Sequence, residues 1–361
     1  MTEFDWATAA GVLPDTAIHD LVRRGEVVPG APLLPGQVQP ASLDLTLGTE
    51  AYRMRSSFLP LPGGSVERDM RDLTMHRIDL RSGGVLEPGA VYLIPLRERL
   101  ALPANVKGRA NPKSSTGRLD VFARVIVDGG ASFDDVRAGY AGPLWLEVVP
   151  CTFPVLVRPG SRLSQLRFSI GDTRLDGNGH RDLLASASMA GAGGTIVDGG
   201  VGLSVDLAWS GDVAGWRALR HAGVIDMDAV GALDAHDFWE PVRRRGDGIV
   251  LDPGEFYILA SAELVRVPLD HAAEMCPFDA AVGEFRAHYA GFFDPGFGIG
   301  RGSRAVLEVR PRDVPFLLRQ GQPVCRLGYE AMAARPASVY GASGNNYDGQ
   351  GLRLSKAFRP Q

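Results

Sequence analysis

Cysteine is scarce in this sequence of 361 residues, which contains only Cys151, Cys276 and Cys325 and no CxxC pair. An odd number of widely separated cysteines argues against a disulfide framework and against a cysteine zinc site. The seven histidines are also scattered, without the spacing of metal ligands. We therefore expect reduced thiols and no protein-bound zinc.

Long apolar runs and a strong charge of one sign are also absent. No apolar run approaches the roughly 20 residues that a membrane-spanning helix needs. The start of the chain, with Glu3 and Asp5, lacks the basic residues of a secretory signal. The net charge is −4, so no overall basic field attracts nucleic acid. The sequence thus predicts a cytoplasmic protein that binds neither membrane nor nucleic acid, in which a local pocket must hold any anionic ligand.

Sustained helical periodicity is rare, whereas 45 glycines and 25 prolines are spread along the chain. Pro14–Arg24 has the apolar spacing of a helix, and Ala214–Arg220 and Asp228–Asp237 are candidate short helices. Short apolar runs between turns are typical of strands, as in Ser42–Leu47, Val91–Leu96, Leu144–Val149 and Phe153–Arg158. We expect an all-β sandwich or jelly roll with short helical insertions.

Internal repetition is the most informative pattern. Val85–Ile94 recurs as Val250–Leu259, with a Pro-Gly pair at the same place in both segments. Leu146-Glu147-Val148 recurs as Leu307-Glu308-Val309 at a slightly smaller offset, so the loop before the first glutamate is longer than its counterpart. An ordered series of such matches indicates a duplication.

The repetition also predicts how the chain is divided. Ala41–Leu45 has a looser echo in Leu203–Leu207. We predict a first domain over residues 1–184, a Gly/Ala/Ser-rich linker over 185–200 and a second domain over 201–361.

A polar segment, Asn-Pro-Lys-Ser-Ser-Thr-Gly-Arg, interrupts an apolar context at Asn111–Arg118. It offers a cation at Lys113, adjacent hydroxyls at Ser114 and Ser115, and a guanidinium at Arg118. An arginine fork matches phosphate oxygens, and hydroxyls and backbone N–H groups add donors. The GxxxxGK[ST] pattern of a P-loop is absent, so the segment alone fits either a phosphate site or a polar turn.

Four stretches, in order along the chain, resemble the dCTP deaminase branch of the dUTPase-like superfamily. They are Gln37–Gly48, Lys113–Arg118, Ala290–Phe297 followed by Val306–Glu308, and Tyr347–Gly351. The chain is similar to the longer, two-repeat form of that family. The resemblance implies an all-β fold of tandem dUTPase-like β-sandwich or jelly-roll (β-clip) domains.

The activity that the resemblance implies is hydrolytic deamination of dCTP to dUTP and ammonia, with a glutamate as general acid and base. The H-x-E…P-C-x-x-C pattern of zinc deaminases is absent from the sequence. Carried over by motif, the catalytic residues are Glu308, Ser114, Ser115 and Arg118, with Glu147 as the alternative general base. The implied substrate-binding residues are Lys113, Thr116, Gly117, Gln165, Ala290, Asp294, Val306, Leu307, Tyr340, Tyr347 and Gln350.

Two positions depart from the family pattern. Lys113 stands where the family usually has arginine, which keeps the charge but loses bidentate geometry. Asn346 stands where a lysine commonly precedes the tail tyrosine, which leaves one phosphate contact open.

The two copies differ in which half of the implied site they keep. The first copy retains the phosphate motif and Arg158–Phe168, whereas the second has Phe278–Gly283 and Gln320–Leu327 at those places. At the implied pyrimidine pocket the second copy has Ala290–Phe297, and the first has the longer, less similar Val127–Asp135. We therefore expect a composite site, with the first copy on the triphosphate and the second on the base.

The implied substrate arrives with Mg²⁺, which binds through the triphosphate and needs no protein cage. The resemblance makes dTTP a candidate inhibitor and leaves a homo-oligomer, a dimer or a monomer open. Gly341–Gln361 is expected to close as a lid. The alternatives are a dUTP diphosphatase giving dUMP and pyrophosphate, a bifunctional deaminase and diphosphatase, and a non-catalytic nucleotide-binding regulator.

Overall fold

The computed structural model describes residues 4–189, 194–277, 285–287, 291–341 and 352–360. The chain divides into two compact units. Unit 1 contains Met1–Thr173, Gly223–Ala229 and Met332–Ser338, and unit 2 contains Arg174–Ala222, Val230–Ala331 and Val339–Gln361. The first change of unit along the chain lies between Thr173 and Arg174, whereas the sequence pattern predicted a boundary after residue 184.

Strands make up most of the regular structure. They are β1 (Gly11–Val12), β2 (Val27–Val28), β3 (Val38–Gln39), β4 (Ser42–Leu45), β5 (Glu50–Met54), β6 (Thr74–Asp79), β7 (Gly84–Leu86), β8 (Val91–Ala101), β9 (Val106–Pro112), β10 (Val121–Val127), β11 (Asp135–Val136), β12 (Ala141–Pro150), β13 (Val155–Val157), β14 (Ser164–Ile170), β15 (Ile196–Val197), β16 (Gly200–Asp206), β17 (Val213–Ala218), β18 (Ile225–Asp226), β19 (Trp239–Arg243), β20 (Gly248–Leu251), β21 (Tyr257–Val265), β22 (His271–Pro277), β23 (Phe285–Ala287), β24 (Phe292–Phe293), β25 (Ser303–Pro311), β26 (Phe316–Arg319) and β27 (Pro323–Ala331). The helices are α1 (Asp15–Arg23), α2 (Val66–Asp69), α3 (Ser114–Gly117) and α4 (Gly177–Ala185), with 3-10 turns at Arg71–Leu73, Ala187–Met189 and Ala235–Asp237. The predicted all-β class with short helices is confirmed.

Unit 1 is built from two large sheets. One has the strand order β11-β9-β14-β4-β3, with β1 also paired to β14, and the other has the order β10-β12-β8-β5-β6, with β2 also paired to β8. A small sheet, β18-β13-β7, completes the unit. Alternate residues of β9 are buried, as expected for a strand with one face toward a core. The pairing of β4 with β14 places the N-terminal motif beside the Arg158–Phe168 segment.

Unit 2 is organised around a sheet with the path β19-β17-β21-β16-β27-β22-β24. Strand β25 joins it through β21 and also pairs with β23, while β20 and β26 form a separate ribbon. The buried cluster of this unit includes Leu259, Leu307 and Val309. Because successive side chains of a strand point to opposite faces, Glu308 faces away from this cluster.

One of the three predicted helices is confirmed. Pro14–Arg24 contains α1, which buries Ile18 and Leu21. The other two predictions are wrong: Ala214–Arg220 lies mostly in β17, and the only helical turn within Asp228–Asp237 is the 3-10 turn near its end. Strand β17 pairs with both β19 and β21, so tertiary pairing overrides the local helical preference. The four predicted strand runs are confirmed as β4, β8, β12 and β13.

The same Pro-Gly turn precedes β8 and β21. Gly89 and Gly254 have φ angles of 73° and 76°, the left-handed region that a type II turn requires at its third residue. In each turn the N–H that follows the glycine donates to the carbonyl three residues earlier, at 3.3 and 3.2 Å. The hydroxyls of Tyr92 and Tyr257 each accept from the N–H of the residue before the proline, at 3.0 Å in both units. The repeated sequence thus folds in the same way twice.

The glutamates of the repeated Leu-Glu-Val sequences occupy corresponding positions. Glu147 on β12 pairs with Leu93 on β8, and Glu308 on β25 pairs with Ile258 on β21. Leu93 and Ile258 each stand one residue before the end of their repeated segment, so they match each other in the sequence repeat. Both ladders are antiparallel, so the two glutamates share one register.

The looser echo predicted for Ala41–Leu45 is wrong in register. Leu45 pairs with Ser164 and Leu203 pairs with Cys325, and these two partners have the same separation along the chain as Glu147 and Glu308. Leu203 therefore corresponds to Leu45, although the echo matched it to Ala41. Strand β16 contains a register shift immediately after Leu203, which sequence matching does not detect.

Candidate active site

The predicted phosphate segment forms a turn between β9 and β10. Lys113 has an extended backbone, with φ −71° and ψ 149°, and Ser114–Gly117 form the single turn α3. Ser115, Thr116 and Arg118 are buried. The segment therefore presents its polar groups from a well-packed turn, which suits both a phosphate site and a structural turn.

Lys113 and Arg162 meet at one carboxylate. Nζ of Lys113 lies 2.5 Å from both carboxylate oxygens of Asp44, and Nη1 of Arg162 lies 3.4 Å from Oδ2 of Asp44. We call these three residues the cation cluster. The sequence indicated Lys113 as a site residue but not Asp44 or Arg162, although Asp44 lies in Gln37–Gly48 and Arg162 lies in Arg158–Phe168.

Gln165 lies on β14 beside the phosphate segment. It pairs with Asn111 on one side and with Asp44 on the other. Its side-chain oxygen accepts from Oγ of Ser42 at 3.2 Å, and its amide nitrogen donates to the carbonyl of Pro112 at 3.4 Å. The predicted substrate-binding glutamine is thus held between the N-terminal motif and the phosphate turn.

A second buried carboxylate, Glu98, lies close to the N-terminal motif. It accepts from the N–H and Oγ1 of Thr46 at 2.9 and 2.6 Å, and from Nε2 of Gln37 at 3.0 Å. Burial raises the pKa of Glu98, and these hydrogen bonds oppose part of the shift. In unit 2, Glu263 likewise accepts from the N–H and Oγ of Ser204 at 2.8 and 2.7 Å. We call each of these two arrangements a glutamate clamp.

Glu147 is buried and bound to Arg124, its neighbour on β10. Nε of Arg124 donates to Oε1 at 3.1 Å, and Nη2 contacts the same oxygen. The guanidinium also covers the ring of Phe133, 3.8 Å from its centroid. Glu147 would therefore have to leave this ion pair to accept a proton and re-form it afterwards.

Glu308 is 2% exposed and lies on a strand with buried neighbours, Val306 and Leu307. Leu307 packs into the core of unit 2, so the backbone around Glu308 is firmly held. A sheltered carboxylate on a rigid strand is suited to moving protons away from bulk solvent. Glu308 and Glu147 therefore share a register, and both are almost completely buried.

The loop after β24 contains Asp294 and Gly296, in the predicted pyrimidine hairpin. Asp294 is buried, and its carbonyl accepts from the N–H of Phe297 at 3.1 Å. Gly296 has a φ angle of 98°, and a Cβ there would lie 2.3 Å from Cγ1 of Val339. Glycine is therefore required for the close approach of the hairpin to this segment.

Aromatic rings connect the hairpin to Tyr340. The ring centroids of Phe293 and Phe297 are 5.0 Å apart, and those of Phe297 and Tyr340 are 5.4 Å apart. The N–H of Tyr340 also donates to the carbonyl of Pro295 at 3.1 Å. The predicted substrate-contacting tyrosine is thus held on the same hairpin as Asp294.

The predicted site residues fall into two groups. Lys113, Ser114–Arg118, Gln165 and Glu147 belong to unit 1, and Asp294, Val306–Glu308 and Tyr340 belong to unit 2. Ala290, Tyr347 and Gln350 lie outside the described residues.

The residues that the structure describes bear on metal and membrane binding. Within that part of the chain, no group of three or more His, Cys, Asp or Glu side chains is placed to hold a metal ion. No helix there is long and apolar enough to cross a membrane.

Comparison with known families matches both halves of the chain. Residues 9–172 match the 2'-deoxycytidine 5'-triphosphate deaminase (DCD) N-terminal domain. Residues 175–358 match the 2'-deoxycytidine 5'-triphosphate deaminase (DCD), C-terminal domain.

Similarity to individual proteins agrees with these matches. The crystal structure of 2'-deoxycytidine 5'-triphosphate deaminase from Agrobacterium tumefaciens superposes with a TM-score of 0.87 and 51% identity, covering 91% of this chain and 99% of that chain. The dCTP deaminase of Haloarcula marismortui is 34% identical over 136 residues, which is 37% of this chain and 66% of the relative, just under two thirds. The protein named "dCTP deaminase, dUMP-forming" from Coprothermobacter proteolyticus is 30% identical over 162 residues, 44% of this chain and 82% of the relative. The resemblance inferred from four short stretches is confirmed, and the chain belongs to the 2'-deoxycytidine 5'-triphosphate deaminase family.

Proposed function

We propose that this protein hydrolytically deaminates dCTP to dUTP and ammonia, without zinc and with Glu308 as general acid and base. The observation that carries the substrate assignment is the 51% identity to the Agrobacterium tumefaciens deaminase across 91% of the chain. Water supplies the new oxygen and the cytosine amine leaves as ammonia, so the reaction balances with water as the only co-substrate.

In the proposed reaction, water attacks C4 of the cytosine ring. A carboxylate takes a proton from the water, and its acid form delivers protons toward N3 and the departing amine. Glu308 suits this role because it is buried on a rigid strand that follows the pyrimidine hairpin. Ser114 and Ser115 are the candidates that orient the water, and Arg118 is the candidate that stabilises charge near it.

Glu147 is the alternative general base because it occupies the corresponding ladder position. Glu308 is preferred because it follows Ala290–Phe297, which resembles the family's pyrimidine hairpin more closely than Val127–Asp135 does. As a base, Glu147 would also have to give up its ion pair with Arg124, whose side chain is 33% exposed.

The triphosphate contacts are assigned to unit 1, through Lys113, Thr116, Gly117 and Gln165. Lysine and backbone N–H groups are common partners of phosphate oxygens. Mg²⁺ would arrive with the triphosphate, whose oxygens and bound waters supply most of its ligands.

The base and sugar contacts are assigned to unit 2 and its tail. Backbone groups around the hairpin would read the cytosine edge, and the carboxylate of Asp294 would accept from the 3'-hydroxyl. The other residues proposed for this part of the site are Ala290, Val306, Leu307, Tyr340, Tyr347 and Gln350.

A tandem duplication accounts for the two units. It is supported by the matching Pro-Gly turns, the two tyrosine hydrogen bonds, the two glutamate clamps and the shared register of the glutamates. The duplication then explains how one copy could lose phosphate contacts while the other lost base contacts.

A dUMP-forming reaction is the second candidate, because the relative from Coprothermobacter proteolyticus carries that name. Incubation of the full chain with dCTP and Mg²⁺, with dUTP, dUMP, pyrophosphate and ammonia resolved, separates the two. Ammonia with dUTP is expected. Ammonia with dUMP and pyrophosphate identifies the second candidate, and binding of dCTP without turnover identifies a non-catalytic regulator.

The same assay addresses regulation, and a mass measurement addresses assembly. We expect dTTP to lower the rate of dCTP turnover, and the mass of the protein in solution to report whether it is a homo-oligomer. Pretreatment with a zinc chelator followed by excess Mg²⁺ should leave turnover unchanged. A loss that only zinc restores would overturn the proposed zinc independence.

A further inference from the structure

The cation cluster joins three stretches that are distant in sequence. Asp44 belongs to β4, Lys113 follows β9, and Arg162 precedes β14. The carboxylate of Asp44 is almost completely covered, while the side chains of Lys113 and Arg162 are 24% and 33% exposed. The acid therefore lies beneath the cations, and the cluster presents its positive charge outward.

The position of Asp44 is fixed by the backbone around it. Asp44 pairs with Gln165 on β14, and its N–H donates to the carbonyl of Gln37 at 2.8 Å. A buried carboxylate is tolerated only when it is paired. Two cations around one acid satisfy that requirement and leave a net charge of about +1 for a ligand.

Unit 2 lacks all three members of the cluster. By ladder register, Gly202 corresponds to Asp44, because it pairs with Arg326 as Asp44 pairs with Gln165. By the repeat spacings, Lys113 and Arg162 correspond to Phe278 and Pro323.

The glutamate clamp, unlike the cation cluster, is present in both units. The fold is thus built in unit 2 without the cation cluster but retains the clamp. If the three residues act together, all three are expected to be lost together. A member that remained alone would be an unpaired charge.

We propose that Asp44 is a positioning residue that holds Lys113 and Arg162 ready for the triphosphate of the substrate. It acts through the two cations and takes no part in proton transfer. Cations already held in place lose less conformational freedom on binding, which favours affinity. This proposal rests on the proposed function, since it takes the ligand to be a nucleoside triphosphate.

The test compares Asp44→Asn with the wild-type full chain. We expect KM for dCTP to rise about tenfold while kcat changes less than about twofold, and Ki for tripolyphosphate as an inhibitor to rise by a similar factor. If Asp44 instead only repels phosphate, KM for dCTP and Ki for tripolyphosphate would both fall. An unchanged or lower KM would overturn the proposal. The matched control is Glu50→Gln, which breaks the ion pair with Arg77 at 2.8 Å. It should leave KM for dCTP and Ki for tripolyphosphate unchanged.

Two further variants keep the test decisive if Asp44→Asn does not fold. Lys113→Gln and Arg162→Gln should each raise KM about tenfold, and the double variant should raise it by less than the product, because the two cations share one acid. Independent effects or unchanged KM values would overturn the proposal. Binding of tripolyphosphate, measured by calorimetry, separates this outcome from failure of the deaminase assignment, because it needs no turnover.

Discussion

Two polar clusters around buried carboxylates give opposite results when the units are compared. The glutamate clamp is present in both units, with the same two donors, a backbone N–H and a hydroxyl. The cation cluster is present in unit 1 and has Gly202, Phe278 and Pro323 at the corresponding positions of unit 2. In our proposal, the difference separates contacts that the fold needs from contacts that one copy keeps for a ligand.

The largest expected effect concerns the two glutamates that share a register. Glu308→Gln should lower kcat for dCTP by at least about a hundredfold, since general acid–base transfer typically contributes about 10²–10⁴-fold. Glu147→Gln should lower kcat less than tenfold. Initial rates of ammonia release measure both, and full activity in Glu308→Gln together with loss in Glu147→Gln would reverse the assignment.

Gly296→Ala tests whether the hairpin of unit 2 depends on its approach to Val339. The strained φ angle costs about 1–3 kcal/mol, and the contact at 2.3 Å adds a clash, so we expect a loss of about 3 kcal/mol in the free energy of unfolding and a higher KM. Gly300→Ala is the control, because its φ angle is 94° and the space around it is open. Denaturant unfolding should show a clearly smaller loss there, and equal losses would mean that the clash is relieved.

The raised pKa of the buried Glu98 carboxyl predicts a pH dependence of stability. Burial raises the pKa of Glu98 in the folded state, so the folded protein binds this proton more tightly than the unfolded chain does. Stability therefore falls as pH rises from about 4.3, the unfolded value, through the folded pKa, with a slope of at most about 1.4 kcal/mol per pH unit. Unfolding measured across this range should show a flatter profile for Glu98→Gln than for the wild type.

Tyr257→Phe is the control for that measurement, because it removes a hydrogen bond in unit 2 without removing a carboxylate. It should change overall stability while the pH profile keeps the slope due to Glu98. Identical profiles for the wild type and Glu98→Gln would contradict the prediction.

The smallest expected effect compares the two repeated Pro-Gly turns. Tyr92→Phe and Tyr257→Phe each remove one hydrogen bond to a backbone N–H, which typically costs about 1 kcal/mol. Denaturant unfolding should give similar losses for both variants, each assigned to its own unit by hydrogen exchange. Losses that differ by more than about 1 kcal/mol would show that the two turns are not equivalent in energy.

Local patterns sufficed for the features whose determinants lie within a few residues. They predicted α1 and the strand runs, because apolar spacing and turn residues lie in the neighbouring sequence. They failed at Ala214–Arg220, where pairing with β19 and β21 determines the structure. The family resemblance came from motif order rather than from local pattern.

The missed contacts depend on strand register. Asp44 and Lys113 are 69 positions apart, and Arg124 and Glu147 are 23 positions apart. One sequence does not reveal which residue of β4 or β10 lies opposite these side chains, so the cation cluster and the ion pair of Glu147 required the folded chain. The roles proposed for the site residues stay predictions until the variants are measured.

The common register of Glu147 and Glu308 has a consequence for how such chains can change over generations. Unit 1 has a longer connection than unit 2 between the repeated segments, yet both glutamates keep the same ladder partner position. Because a strand slip of one residue would turn every side chain to the opposite face, a one-residue slip of β12 or β25 would turn its glutamate to the other face of the sheet. A change in the length of the connecting loop leaves that orientation unaltered, as the longer connection of unit 1 illustrates.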